Sequence, residues 1–207
     1  GMLTAWRLDA FSDIFGGGLF DNTEPLAVLA ASTIIVVVGH LDDYKDVSAP
    51  AKMAGNVLAA TVLVLGGVSM FALNVPFGGL VQLDPSLAFP LSVLWVVAMC
   101  QAINFIDGLD GLAAGIVGIA ALVFFLYTLQ LGDRGDLSPS NIGPLLAILV
   151  VGMCVGFLPW NIHPARIFMG DGGALLLGVL MASSTMVVGG RIDQQWTGSV
   201  FFFYAPL

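Results

Sequence analysis

The sequence predicts an all-α protein, a polytopic bundle of transmembrane helices with six full spans and a truncated seventh. Three observations lead to this prediction: 58% of the 207 residues are hydrophobic, only 10% are charged, and long apolar runs follow one another along the chain. A soluble domain carries roughly 25% charged residues. The formal net charge of −8 also excludes a nucleic-acid-binding protein, which needs a basic surface.

Each predicted span is an apolar run close to the length that crosses a bilayer. About 20 residues at a rise of about 1.5 Å cross about 30 Å of hydrocarbon. Six runs approach this length without an acidic or basic residue in the middle: 25–41, 53–73, 87–106, 112–131, 142–160 and 172–190. A seventh run begins near Val200 and is too short to cross. We therefore expect a piece of a larger membrane protein, or a product truncated at both ends, with residues 1–24 preceding a transmembrane core of residues 25–207.

Two further patterns concern the spans themselves. Gly152 and Gly156 form a GxxxG motif in the fifth run, which predicts close packing against another helix.

Cys100 and Cys154 lie inside apolar runs without the spacing of a zinc site or a disulfide framework. Neither a disulfide framework nor a zinc site is therefore indicated.

Alternation of the spans sorts the connecting loops into two sets. One set comprises 42–52, 107–111 and 161–171, and the other 1–24, 74–86, 132–141 and 191–199. Each set carries three basic residues, so the positive-inside rule does not decide the orientation. The first set is dense in polar residues and must lie at one membrane surface, because its members are alternate loops.

Six carboxylates meet at that predicted surface: Asp42, Asp43, Asp46, Asp107, Asp110 and Asp171. Like charges held close together repel and raise one another's pKa. A hard divalent cation such as Mg²⁺ relieves the repulsion, because it prefers oxygen ligands. The alternative is that these are ordinary solvated loop residues.

Position favours a ligand for some of these polar residues. Asp42 and Asp43 follow the C-terminal end of a span and Lys52 begins the next one, and both placements oppose the helix dipole. A snorkelling anchor is the alternative for Lys52. Asp171 precedes a helix predicted to begin at Gly172, so we expect it to act as an N-cap as well.

The second polar loop carries a three-residue repeat. Asn104, Asp107 and Asp110 would share one face of a helical turn. Each Asp precedes a Gly, so a tight turn explains the pattern as well.

Three residues of the third loop are candidates for substrate contacts. Phe168 could stack on a flat base or serve as an interfacial aromatic. Arg166 has the fork geometry that suits a phosphate but could equally bind lipid head groups. His163 fits a binding role and a structural role equally well.

Together these motifs resemble the polyprenyl-phosphate N-acetylhexosamine-1-phosphate transferase family. The resemblance covers about residues 25 to 190 and rests on Asp42-Asp43 with Lys52, on Asn104-Phe-Ile-Asp-Gly-Leu-Asp-Gly111, and on Pro164-Ala-Arg-Ile-Phe-Met-Gly-Asp171. Residues 157–166 look closer to the N-acetylglucosamine branch than to the muramoyl-pentapeptide branch. Where many relatives read Gly-Asp-Ser-Gly-Ser, this chain has Gly170-Asp-Gly-Gly-Ala174.

The resemblance implies a reaction, a cofactor and a place in the cell. A UDP-N-acetylhexosamine, most simply UDP-N-acetylglucosamine, would give its sugar 1-phosphate to a polyprenyl phosphate and release UMP, with Mg²⁺ as cofactor and Mn²⁺ as an alternative. The protein would be a multi-pass enzyme of the bacterial plasma membrane, truncated at both ends relative to the family. Its site loops would face the cytoplasm and residues 1–24 would form an extracytoplasmic segment. A homodimer is left open. No nucleic acid partner is expected.

The resemblance also implies roles for individual residues. Asp171 and Asn104 would hold the metal, and the catalytic group would be Asp42, Asp43 and Lys52. The residues on the substrate side would be Asn104, Asp107, Asp110, Phe168, Arg166 and His163.

Two other function classes remain as alternatives. An ion-coupled transporter usually has ionisable groups at mid-membrane depth, whereas here the mid-span polar residues are neutral. The other alternative is an inactive fragment or membrane scaffold, which would not bind a metal-bound nucleotide sugar.

Overall fold

The computed structural model describes residues 23–45, 47–75 and 79–189. They form six helices and one β-hairpin. The helices are α1 (Thr23–Lys45), α2 (Ala49–Leu65), α3 (Pro85–Ile106), α4 (Leu112–Arg134), α5 (Gly143–Asn161) and α6 (Gly170–Gly189). The hairpin strands are β1 (Ala72–Val75) and β2 (Gly79–Gln82), which pair antiparallel with Ala72 opposite Gln82. The predicted helical bundle is confirmed.

Five of the six described helices are long and apolar enough to cross a membrane, so the chain is a multi-pass membrane protein. They contain 19 to 23 residues, whereas α2 has only 17. The predicted number of six full spans therefore differs from the five candidate spans among the described helices, and the predicted run near Val200 lies outside the described residues.

The second predicted span, 53–73, is wrong at its C-terminal end. Helix α2 stops at Leu65, Gly66 follows as the C-cap, and Gly67 adopts a φ of +101°. A left-handed backbone of this kind favours glycine and ends a helix. Residues 72 and 73 of the predicted span belong to strand β1 instead.

Local signals in the sequence explain where α3 begins and where α4 begins and ends. The Asp84 side chain accepts a hydrogen bond of 2.9 Å from the backbone N–H of Ser86, and Pro85 occupies the first helical position of α3. Both features are typical of helix starts. Helix α4 lies between Gly111 and Gly135, which both have a positive φ.

Helix α6 forms the centre of the bundle and packs against α1, α3 and α5. In its apolar window 78% of the residues are buried, against 33% in each of the other four long helices. Small residues allow this packing: a Cβ atom added at Gly178 would lie 2.5 Å from the Cα of Cys100 on α3. Helix α6 is therefore the element against which the others are positioned.

The GxxxG motif of α5 does not pack as predicted. Gly152 and Gly156 are exposed, and a Cβ atom at either position would meet nothing within 4 Å among the described residues. The close glycine contacts of the described bundle involve other positions, such as Gly39 on α1 and Gly172 on α6. A GxxxG motif shows that helices can approach closely but does not show which helix faces do so.

Candidate active site

The three polar loops meet at one end of the bundle. The end of α1 and the start of α2 lie beside the start of α6, since Lys52 contacts Asp171. The end of α3 joins them through Asn104, whose Nδ2 donates to Asp171 Oδ1 at 2.9 Å. The structure thus assembles one polar site from three connections that are far apart in the chain. Asp46 lies outside the described residues.

Three carboxylates form the centre of this site. Oxygen atoms of Asp42, Asp43 and Asp171 lie within 4.8 Å of one another. Helix α1 extends to Lys45, so Asp42 and Asp43 belong to its last turn and do not follow its end as predicted. They still lie at the helix end that disfavours anions. We call this group of three residues the acidic cluster.

Asp171 occupies the first turn of α6 and not the predicted N-cap position, because the helix begins two residues earlier than expected, at Gly170. Its backbone N–H donates to Asp43 Oδ1 at 3.3 Å, as the unpaired amides of a first helical turn can do. Gly170 has a φ of +66°, and a Cβ atom there would lie 2.8 Å from Asp43 Oδ2. Glycine at this position therefore lets α1 approach the N-terminus of α6.

Lys52 neutralises part of the acidic cluster. It lies in the first turn of α2, and its Nζ contacts Asp42 Oδ2 at 2.5 Å and also Asp171 Oδ2. The lysine side chain is 25% exposed. An ammonium group has three N–H donors, so one remains for another acceptor after both carboxylates are paired.

Asn104, Asp107 and Asp110 do not share one face of a helical turn. Asn104 is in the last turn of α3, Asp107 is the C-cap, and Asp110 belongs to the following turn. Burial raises the pKa of Asp107, and the charge of Asp171 raises it further. Asp107 therefore lies near enough to the acidic cluster to feel the charge of Asp171, and no ion pair compensates its charge among the described residues.

Asp110 connects the second polar loop to the third through side-chain hydrogen bonds. Its Oδ2 accepts from the backbone N–H of Ala165 at 3.1 Å and lies 2.9 Å from His163 Nδ1. These two hydrogen bonds, the one from Ala165 first, lower the pKa of Asp110. The His163 side chain is 84% exposed and contacts Asp110 rather than the acidic cluster.

A cavity of about 210 Å³ opens beside the acidic cluster. Phe168 stands at its edge with 79% of its surface exposed. Arg166 and His163 are not among the described residues that line it. The Arg166 guanidinium lies 5.9 Å from the centroid of the Trp160 ring, the geometry of a cation–π contact. The residues that line the cavity include Asn104, Asp107, Asp110, Asn161, Phe168 and Asp171.

Sequence reasoning missed Asn161, the last residue of α5. Its side chain is buried, its Oδ1 accepts from the backbone N–H of Gly111 at 3.0 Å, and its Nδ2 donates to the carbonyl of Ile167 at 3.0 Å. Asn161 thereby joins the second and third polar loops along the cavity. The signal that could have identified Asn161 in the sequence is its position, since it is an amide residue directly after a long apolar run.

The donor set of the site suits a hard cation. Mg²⁺ prefers oxygen ligands, and three carboxylates converge within reach of one ion. A cation already lies between two of them in the structure, since the Lys52 ammonium contacts Asp42 and Asp171. The residues present therefore fit a divalent ion bound by the acidic cluster.

Comparison with known proteins gives a family match over most of the chain. Residues 25–189 match the model of glycosyl transferase family 4. The decaprenyl-phosphate N-acetylglucosaminephosphotransferase of Mycobacterium tuberculosis (strain H37Rv) is 37% identical over 194 residues, which cover 91% of this chain and 48% of the relative.

Two further relatives carry different descriptions. A probable undecaprenyl-phosphate N-acetylglucosaminyl 1-phosphate transferase of Bacillus subtilis (strain 168) is 38% identical over 165 residues, covering 80% of this chain and 44% of the relative. A phospho-N-acetylmuramoyl-pentapeptide-transferase of Desulforudis audaxviator is 36% identical over 197 residues, covering 86% and 57%. The chain thus spans about half the length of the curated relatives it matches.

Proposed function

The chain belongs to glycosyl transferase family 4, and we propose that it forms the core of a transferase that moves N-acetylhexosamine 1-phosphate from a UDP-sugar to a polyprenyl phosphate. N-Acetylglucosamine is the favoured sugar, because relatives from two genera are described as transferases of N-acetylglucosamine phosphate. The observation that carries the proposal is the acidic cluster bridged by Lys52 at one end of a membrane bundle. With a divalent cation bound, such a site could neutralise charge on the phosphates of both substrates.

The reaction is a displacement at phosphorus. An oxygen of the lipid phosphate attacks the phosphorus that carries the sugar, a new P–O bond forms, and the pyrophosphate bond to the uridine phosphate breaks. UMP leaves with the electron pair of that bond. A phosphate monoester with a second pKa of about 6 is mostly dianionic at neutral pH, so the attack needs little help from a general base. A covalent aspartyl-phosphate intermediate is the less favoured alternative.

The residues of the site have distinct proposed roles. Asp171 and the carboxamide oxygen of Asn104 would hold Mg²⁺, which when bound would neutralise charge on the pyrophosphate. Lys52 would donate its remaining N–H to a phosphate oxygen. Asp42 and Asp43 would position the metal or the lipid phosphate, since they lie beside Asp171.

The nucleotide would lie in the cavity beside the acidic cluster. Its edge carries the exposed ring of Phe168, on which a uracil base could stack, and its wall carries Asp107 and Asp110. The proposed location is the bacterial plasma membrane with this end of the bundle in the cytoplasm, where nucleotide sugars are available.

The described charges support a surface transferase over a transporter. Every Asp, Glu, Lys and Arg within the six described helices lies in a first or last turn, and none lies at mid-span. A transport pathway usually places ionisable groups at mid-membrane depth. The site is confined instead to one end of the bundle.

An exchange assay tests the proposed reaction. Membranes containing the protein are supplied with lipid acceptor, UDP-N-acetylglucosamine and radiolabelled UMP, and the appearance of label in the nucleotide sugar is followed with and without Mg²⁺. We expect exchange in the parent that requires Mg²⁺ and is lost in Asp43→Asn and Asp171→Asn. Asp133→Asn, an exposed carboxylate at the far end of α4, is the matched control and should exchange normally. Equal exchange in all four proteins would refute the proposal.

A further inference from the structure

Asn56 is a buried polar residue whose side chain has no hydrogen-bond partner in the part of the chain that the structure describes. It lies on α2, only 1% of its surface is exposed, and neither its Oδ1 nor its Nδ2 has a hydrogen bond among the described residues. The other fully buried side chains on this face of α2 are apolar, namely Ala59, Ala60 and Leu63. An unpaired amide costs free energy that an apolar side chain of the same size would not cost. Packing alone therefore does not explain why an asparagine occupies this buried position.

The location of Asn56 suggests that reason. It follows Lys52 by four residues, so the two residues lie on the same face of α2, one helical turn apart. Side chains of an α-helix lean toward its N-terminus, so the carboxamide of Asn56 leans toward the turn that carries Lys52. Helix α2 packs between α1 and α3, whose ends carry Asp42 and Asn104. Asn56 is thus the first buried polar residue beneath the acidic cluster on α2.

Lys52 needs a further anchor when the site is in use. In the structure its ammonium is held by Asp42 and Asp171, which are two of the three carboxylates of the acidic cluster. A divalent cation bound there competes for the same oxygens. When the metal displaces the ammonium from one carboxylate, one N–H stays with the other carboxylate, one donates to the phosphate, and the third is left for a neutral acceptor from the protein.

We propose that Asn56 is a positioning residue that holds Lys52, through one bound water, while metal and phosphate occupy the acidic cluster. A buried water needs two to four polar partners, and the carboxamide supplies both an acceptor and a donor. The amide is neutral, so it can serve the lysine without adding a fourth negative charge to the site. This inference rests on the proposed function, since it needs phosphate and metal to enter the site.

One pair of substitutions separates positioning from packing. Asn56→Leu replaces an unpaired amide by an apolar side chain with the same number of heavy atoms, so we expect it to melt at or above the temperature of the parent. Asn141→Leu is the matched control at the opposite end of the bundle, where the amide donates to the Val187 carbonyl at 2.7 Å and accepts from Gly143 N–H at 2.8 Å. We expect it to melt lower than the parent. If Asn56→Leu lowers the melting temperature as much as Asn141→Leu does, the Asn56 amide is already paired and the proposal is overturned.

The two lysines of the chain provide the direct measurement. Lys45 is exposed and serves as the internal reference for Lys52. Reductive methylation with ¹³C-formaldehyde in the presence of Mg²⁺ and inorganic pyrophosphate gives one NMR signal for each lysine. We expect Asn56→Leu to raise the methylation rate of Lys52 relative to Lys45 by about two- to tenfold, the change that loss of one hydrogen bond produces. Asn141→Leu should leave the ratio unchanged, and Asn56→Gln should restore it toward the parent value.

The results distinguish this inference from the proposed function. An unchanged Lys52 ratio in Asn56→Leu, or no recovery in Asn56→Gln, overturns the positioning role even if the parent exchanges UMP. A raised ratio in a protein that does not exchange UMP supports the positioning role and leaves the transferase reaction refuted. Where exchange occurs, Asn56→Leu should lower kcat more than it changes KM for the UDP-sugar, and equal kinetic constants would count against the role.

Discussion

The crossing of α1 and α6 beneath the acidic cluster provides the sharpest test of how the fold builds the site. We predict that Gly39→Ala destabilises the protein and impairs the site together. A Cβ atom at Gly39 would lie 2.3 Å from the Cα and 2.5 Å from the N of Gly172. Carbon atoms pack at about 3.5–4.0 Å, so the two helices would have to separate by at least about 1 Å. The atoms are backbone on both sides, and no rotamer change can relieve the contact.

The expected magnitude follows from two consequences of that separation. Overpacking of this kind costs about 1–3 kcal/mol. The hydrogen bond from Asp171 N–H to Asp43 Oδ1, at 3.3 Å, would stretch beyond bonding distance, and loss of a bond to a charged group adds about 1 kcal/mol at a partly exposed position. We therefore expect a loss of roughly 2–4 kcal/mol in the free energy of unfolding. Displacement of catalytic groups by about 1 Å lowers the rate by about 100-fold.

Thermal unfolding in detergent and Mg²⁺-dependent UMP exchange measure the two effects. Gly152→Ala is the control, because a Cβ atom there meets nothing within 4 Å among the described residues. It should keep full exchange and gain up to about 1 kcal/mol from the better helix propensity of alanine. Parent-like melting and exchange in Gly39→Ala would refute the account of the α1–α6 crossing.

Three further predictions concern the metal, the missed asparagine and pH. Mg²⁺ at about 100 times its dissociation constant should stabilise the parent by about 2.7 kcal/mol, and should stabilise Asp43→Asn much less, with K⁺ at equal ionic strength as the control in thermal unfolding. Asn161→Ala should cost about 1–3 kcal/mol, because the Gly111 N–H and the Ile167 carbonyl lose their partner, and a parent-like melting temperature would contradict the pairing. The lowered pKa of Asp110 means that its stabilising contribution is full above the ordinary value of 3.8 and is lost as the pH falls through the folded-state value. Acid unfolding of Asp110→Asn should therefore lack that part of the pH dependence, and an acid profile identical to the parent's would contradict it.

The arrangement of helices could be predicted because the membrane imposes it. A run of about 20 apolar residues must be a helix in lipid, and consecutive spans must alternate in direction. Applied to six predicted spans, these two constraints place Lys52, Asn104 and Asp171 at one end of the bundle, although α2 is shorter than the other helices. The end of α2 could not be predicted in this way, since an apolar run that contains Gly66 and Gly67 fits a helix, a turn or a strand equally well.

The details of the site depend on tertiary contacts that a single sequence does not carry. The continuation of α1 through Asp42 and Asp43 opposes the helix dipole, and it is offset by the contacts that these residues make with Lys52 and the N-terminus of α6. Asn161 and Asn56 look alike in the sequence, as single amides in or at the end of apolar runs. Only the structure shows that, within the described ranges, the first has two hydrogen-bond partners and the second has none.

The distribution of burial among the helices indicates which parts of the site are held rigidly and which parts can move. Asp171 contacts Lys52 and Asn104 through its side chain and Asp43 through its backbone, and it belongs to the most buried helix of the described bundle. Groups that must be held to a fraction of an ångström are best supported by rigid, packed elements. The partners of Asp171 lie at the ends of α1, α2 and α3, which are far more exposed. Metal and phosphate binding should therefore move Lys52 and the end of α1 around a fixed Asp171, which is the motion that a second anchor at Asn56 would limit.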